Sequence, residues 1–174
     1  DFIGAKKLFM PHHKVKTEHH SDLTPIFSKH KVERQVQTVY KRNINLPSGG
    51  NIVIDSTEAL VSIDVNSARS TKGSDIEDTA QNTNIEAAIE ILTQLRLRDI
   101  GGLIVIDFID MMSINSQKNV MRKVVEYAKK DKAKIQFARI SKFGLMELSR
   151  QKLKSSIIQN NYENCPTCDG TGQI

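Results

Sequence analysis

No apolar run in these 174 residues approaches the length of about 18 needed to span a bilayer, which excludes a membrane-crossing helix. The start shows no secretory pattern, and it opens on Asp1 rather than methionine, with Phe2 to Ala5 leading straight into Lys6 and Lys7. That beginning reads as the middle of a longer protein. There is no internal repeat, and no histidine lies beyond His30. Cysteine occurs only at Cys165 and Cys168. What remains, 39% hydrophobic and 26% charged residues, is the composition of a soluble globular chain with room for one ordinary domain, or one domain with appendages.

The net charge of +5 conceals a segregation. Residues 50–110 hold 11 acids and 4 bases, whereas residues 117–154 hold 12 bases and 3 acids. A basic stretch alone is usually a solvated helix face. Beside clustered carboxylates it points to an anionic polymer, because phosphates supply the charge that Lys and Arg neutralise.

Two apolar runs each carry an aspartate. In residues 59–66, strand alternation puts Leu60, Ser62, Asp64 and Asn66 on one face and Val61, Ile63 and Val65 on the other. Residues 103–109 are apolar except for Asp107, the pattern of a strand covered on both faces. An ionised carboxylate among such neighbours costs several kcal/mol, in order-of-magnitude terms about 3–5, unless a cation, donors or protonation relieve it. Taken singly, each aspartate reads as a half-solvated cap at a strand end. Taken together, two carboxylates sharing a hard divalent cation explain the pair, and magnesium prefers such oxygen ligands.

The order of elements supports that meeting. The Leu46 to Gly50 turn precedes two strands, residues 51–56 and 59–65, which read as a hairpin. A polar loop over residues 66–73 follows. Asp75 then caps a helix running to about Arg98, with Ile85, Ala88, Ile89, Leu92 and Leu95 on its buried face. Gly101 and Gly102 release the Asp107 strand. A right-handed strand, helix, strand crossover places Asp64 and Asp107, 43 residues apart, on parallel neighbours at the carboxyl edge of a sheet. Asp110 reads as the cap of the next loop. A further helix, capped by Asn115 or Ser116, runs to about Lys130 with Val120, Val124, Tyr127 and Ala128 inward. Residues 134–139 read as a strand, and residues 145–153 fit a strand or a helix equally. Earlier in the chain, Ile26, Phe27, Val32, Val36 and Val39 form one stripe of a helix over residues 29–41. The pairs His12 with His13 and His19 with His20 read as a surface loop rather than a metal site.

Cys165-Pro-Thr-Cys168, followed by Gly170 and Gly172, is a metal-knuckle pattern. Structural zinc wants four tetrahedral ligands and this motif offers two. A second copy of the chain supplying the other two is the favoured completion. Histidines from the first forty residues, a redox disulfide, or a chaperone-type zinc module of the DnaJ kind are the alternatives. The disulfide lacks a thioredoxin-like context, and the chaperone module needs several copies of the motif.

The stretches LPSGGNIVIDSTEALVSIDVNSARSTKGSDIEDTAQNTNIEAA, QLRLRDIGGLIVIDFIDM, ISKFGLMELSRQKL and CPTCDGTG, in that order, resemble the ribonuclease E/G family, its E branch more than its G branch. The resemblance implies an α/β fold: a mixed sheet flanked by helices, of the deoxyribonuclease-I-like kind, over residues 41–160. Residues 1–40 would end a ribonuclease-H-like subdomain, and residues 161–174 would form a zinc-link. It implies a magnesium-dependent endoribonuclease that hydrolyses single-stranded A/U-rich RNA to 5′-phosphate and 3′-hydroxyl ends, in mRNA decay and in rRNA and tRNA processing. Asp64 and Asp107 match the magnesium ligands, and Asn66 matches the residue that positions the scissile phosphate. Cys165 and Cys168 match the pair that shares one zinc between protomers, in dimers or a dimer of dimers. Lys134, Arg139 and Lys142 are candidate phosphate contacts. Degradosome proteins as partners, and a cytoplasmic location with attachment at the inner membrane through segments absent here, belong to the same expectation. The family's S1 domain and 5′-monophosphate sensor have no counterpart in these residues. The rival reading is therefore a non-catalytic module that binds RNA and dimerises through zinc.

Overall fold

The computed structural model describes residues 19–67, 75–156 and 165–168, together with Gly4 and Leu8. His12, His13, most of the polar loop over residues 66–73, and Gly170 and Gly172 lie outside the described residues. The chain divides into two compact units, Asp1–Gln37 and Thr38–Ile174.

In the first unit the single helix expected over residues 29–41 is two short ones, α1 (Ile26–Lys29) and α2 (Glu33–Thr38), the latter running into the start of the second unit. Lys31 between them takes a positive φ of 55°, which a continuous right-handed helix does not permit. The expected apolar stripe is sequestered only in part: Val39 is buried and Val32 half-buried, while Ile26, Phe27 and Val36 are exposed. His30 is exposed, and the His20 ring pairs with the Thr24 carbonyl at 2.8 Å.

The second unit is an α/β layer structure. Strands β1 (Asn43–Asn45), β2 (Asn51–Ser56), β3 (Val61–Asn66), β4 (Gly102–Asp107), β5 (Ile135–Phe137) and β6 (Leu145–Arg150) form one sheet in the order β1-β2-β3-β4-β6-β5. Only β3 and β4 are parallel, and α3 (Asp75–Arg98) connects them. Helix α4 (Ile114–Ala128) links β4 to β5. Residues 51–66 are the expected hairpin, and the ambiguous run from Leu145 is a strand.

Apolar side chains of α3 and α4 share one core with the inward residues of the sheet. Ala87, Ala88, Ile91, Leu95, Val120 and Val124 pack with Ile52, Ile63, Ile104, Ile106, Met146 and Leu148. Among the described residues no helix covers the opposite face of the sheet, where Asp64, Asn66, Leu103 and Asp107 are exposed. Strand β4 is accordingly covered on one side, not two: Ile104 and Ile106 are buried, but Leu103 is 46% exposed and Val105 half-buried. Apolar composition alone does not reveal which face receives a helix.

Polar groups fasten this frame. Arg150, on β6, is buried and donates to Asp131 (2.8 and 3.2 Å), Asp99 (2.9 Å) and the Ile100 carbonyl (2.9 Å). Arg98 is also buried; it donates to Gln94 at 2.8 Å and to the Thr38 and Lys41 carbonyls. Helix α4 is capped by Ser113, whose hydroxyl accepts from the backbone N–H of Asn115 and Ser116. The cap thus lies two residues before the expected Asn115, because the Ser113 oxygen meets the first free N–H groups of the turn. Among the described residues no helix is long and apolar enough to cross a membrane.

Candidate functional site

Because β3 and β4 run parallel, both deliver their last residues to one edge of the sheet. Asp64 and Asp107 are register partners there, side by side on neighbouring strands about 4.8 Å apart. Both point to the open face, so the carboxylates are solvated rather than sunk among apolar side chains. Open solvent resolves part of the cost that the apolar runs implied.

Their proximity leaves an electrostatic trace. The Asp107 carboxyl is held above its ordinary range, first by partial burial, then by the charges of Asp64 and Asp110. Asn66, two residues beyond Asp64 on the same face, donates from Nδ2 to Asp64 Oδ2 at 2.7 Å. That bond orients one carboxylate oxygen and leaves the other free to bind. Three acidic groups therefore share one field, with an amide beside them.

The loop after β4 is clamped by residues that motif reading did not single out. Asn84, buried in α3, makes a two-way bond with Ile109: its amide donates to the carbonyl at 2.8 Å, and its oxygen accepts from the N–H at 3.0 Å. Glu77 accepts from the Met112 and Ser113 N–H groups, each at 3.0 Å. Those donations, with the Ser116 hydroxyl, hold its carboxyl below the ordinary range. The only sequence signal was polarity on a helix face that otherwise packs the core.

A second loop closes on the same edge. Gly144 takes φ +77°, and a methyl group built on it would lie 3.0 Å from the Phe108 carbonyl oxygen, 3.4 Å from Asp110 Oδ1 and 3.9 Å from Asp107 Oδ1. Glycine permits both the conformation and the approach. Asp110 thus belongs to the surroundings of the carboxylate pair, beyond the loop-capping role its position at the strand's end indicates.

The basic candidates separate. Lys142 is exposed in the turn that contains Gly144. Arg139 lines a groove of about 860 Å³ with Lys118 and Arg122 of α4, over the apolar side chains of Met121 and Ile140. Lys134 lies at the other end of the sheet: it bonds Gln151, next to Arg150, which pairs with Gly102, five register steps from Asp107. At about 3.3 Å per residue that is roughly 16 Å from the carboxylates.

Two carboxylates and an amide are hard oxygen donors, which suit magnesium, an ion that keeps several waters and takes one or two protein carboxylates plus phosphate oxygens. Among the described residues no group of three His, Cys, Asp or Glu is placed to hold a metal by itself. A pair completed by water and substrate is consistent with that. At the knuckle, neither cysteine is in a disulfide. The Cys165 thiol is lowered from its ordinary range, chiefly by the backbone N–H groups of Thr167 and Cys168 that bond its sulfur. N–H groups directed at the sulfur favour the thiolate form, which is the form that ligates zinc, and a Cys-x-x-Cys pair offers two of the four ligands of a structural zinc site.

The model of the ribonuclease E/G family matches residues 3–153. Ribonuclease E of Haemophilus influenzae is 51% identical over 174 residues, covering all of this chain and 17% of the relative. Ribonuclease E of Buchnera aphidicola subsp. Schizaphis graminum is 55% identical, with the same coverage. Ribonuclease G of Salmonella typhimurium is 37% identical over 166 residues, 95% of this chain and 34% of its own. The chain thus spans about a sixth of the length of the ribonuclease E relatives it matches.

Proposed function

The chain belongs to the ribonuclease E/G family, and on that premise we propose that it carries the metal-holding part of an endoribonuclease. The observation that bears the reading is the register pairing of Asp64 with Asp107 at the carboxyl edge of β3 and β4. The proposed reaction is hydrolysis of single-stranded A/U-rich RNA to 5′-phosphate and 3′-hydroxyl ends. It would serve mRNA decay and rRNA and tRNA processing in the cytoplasm.

In this reading Asp64 and Asp107 bind magnesium and act neither as acid nor as base. When bound, the ion polarises phosphate oxygens, lowers the pKa of its water and steadies the leaving oxygen. Asn66 keeps Asp64 in its binding orientation and, being exposed, is within reach of a phosphate at the same edge. Asp110 adds negative charge beside the pair, favouring occupation by a cation. Arg139 and Lys142 neutralise phosphates along the strand, which positions RNA without reading its sequence.

The zinc-link is proposed as Cys165 and Cys168 sharing one ion with the same pair of a second copy, giving a dimer or a dimer of dimers. Half a zinc per chain in a particle of dimeric mass supports it, and one zinc per monomer rejects it. Degradosome proteins are the proposed further partners. The nuclease reading is tested by cleavage of a short unstructured RNA with magnesium, using the protein carrying this chain and its Asp64→Asn and Asp107→Asn variants. Loss of cleavage in both supports it. Retention in both leaves the rival, an RNA-binding and dimerisation module.

A further inference from the structure

The turn between β5 and β6 carries a side chain that the metal site does not use. Phe143 is 83% exposed, in a chain with only 5% aromatic residues. The backbone that presents it is held firmly. Ser141 N–H donates to the Leu145 carbonyl at 2.8 Å, Gly144 N–H to the Ser141 carbonyl at 3.2 Å, and Phe143 N–H to the Ser141 hydroxyl at 3.2 Å. The Phe108 N–H in turn donates to the Gly144 carbonyl at 3.2 Å, tying the turn to the segment between Asp107 and Asp110.

Gly144 brings the turn near the carboxylates, close enough that a methyl group there would lie 3.4 Å from Asp110 Oδ1 and 3.9 Å from Asp107 Oδ1, and Phe143 is the adjoining residue, with its Cα about 3.8 Å away. Lys142, the preceding residue and also exposed, adds a positive charge to the same turn. A rigid backbone, an exposed aromatic ring and an adjacent cation are what single-stranded nucleic acid is held by: base faces stack on the ring and phosphates meet the cation.

We propose that Phe143 is the stacking platform for the nucleobase flanking the phosphate held at Asp64 and Asp107, with Lys142 neutralising the neighbouring phosphate. The proposal rests on the nuclease reading and adds a subsite to it. Stacking binds any base, so the ring supplies affinity and register rather than sequence preference. Such binding is made before the chemical step, so its loss falls on KM more than on kcat.

The test uses the protein carrying this chain and a short RNA with one cleavage site. Phe143→Ala is expected to raise KM about tenfold with kcat within about twofold, and Phe143→Tyr to retain the wild-type value. Removing the single base beside the scissile phosphate should raise KM by a similar factor for the wild type and leave Phe143→Ala unaffected. An equal penalty for both proteins overturns the proposal. So does a Phe143→Ala variant that changes oligomeric mass or thermal stability while keeping its KM, since the ring would then be packing on protein. If Asp107→Asn cuts as fast as the wild type, the nuclease reading fails on its own account, whatever Phe143→Ala shows.

Discussion

Replacing Asp107 by asparagine should stabilise the metal-free fold and remove its response to magnesium, a pair of opposite effects from one substitution. Asp64 and Asp107 leave adjacent strands at the same register, and Asp110 adds to the field. Two unit charges about 5 Å apart repel by about 0.8 kcal/mol at the dielectric constant of water, and by about 3 kcal/mol at an effective value near 20. Both carboxylates are exposed, so screening favours the lower figure, about 1 kcal/mol. For a chain of this size that corresponds to a melting temperature about 2–4 °C higher for Asp107→Asn in chelator at low salt. Magnesium at ten times its Kd should stabilise the wild type by about 1.4 kcal/mol, and the variant hardly at all. The order of melting temperatures therefore inverts between chelator and magnesium, which differential scanning fluorimetry reads directly. A variant that melts lower in chelator, or that responds to magnesium as the wild type does, refutes the reasoning.

Arg150 should be the most sensitive buried polar residue. Its loss in Arg150→Ala strands Asp131 and Asp99, costing about 3–5 kcal/mol by denaturant unfolding, whereas Arg150→Met should cost less because it restores packing volume. Burial works to raise Asp131, but donation from Arg150 and from the Ala133 N–H outweighs it, so its carboxyl titrates below the ordinary range. A depressed carboxyl stabilises the fold above its unfolded pKa, near 3.9, and that contribution fades as pH falls through the folded value. The acid limb of the stability curve should therefore flatten in Arg150→Met. Glu77→Gln should likewise weaken acid sensitivity between about pH 4.5 and lower values, since Glu77 is depressed by the Met112 and Ser113 N–H groups. Its readout is faster hydrogen exchange at those two amides.

Legibility followed the range of the interactions involved. The alternation in β3 was visible because one face of that strand meets the core and the other meets solvent, and the 43-residue crossover allowed Asp64 and Asp107 to be paired before any coordinates. Helix α3 ends at Arg98 as its periodicity indicated, and the apolar set read from it is buried or half-buried. The break at Lys31 was hidden, because apolar spacing of 3 and 4 survives two short helices as well as one long one. The second cover expected on β4 failed for a related reason: a greasy strand does not say how many layers lie against it. Asn84 and Glu77 were illegible as loop clamps, since each acts on backbone 25 to 36 residues away. Gly144 offered only a glycine after an aromatic residue; its closeness to Asp107 and Asp110 comes from the pairing of β4 with β6.

Every role proposed for this edge of the sheet requires Asp64 and Asp107 to hold one divalent ion together. Manganese, a paramagnetic stand-in for magnesium, can be counted by electron paramagnetic resonance as it binds the protein carrying this chain. One site per chain is expected on this edge of the sheet, lost in Asp64→Asn and equally lost in Asp107→Asn. Unchanged manganese binding in either variant would contradict it.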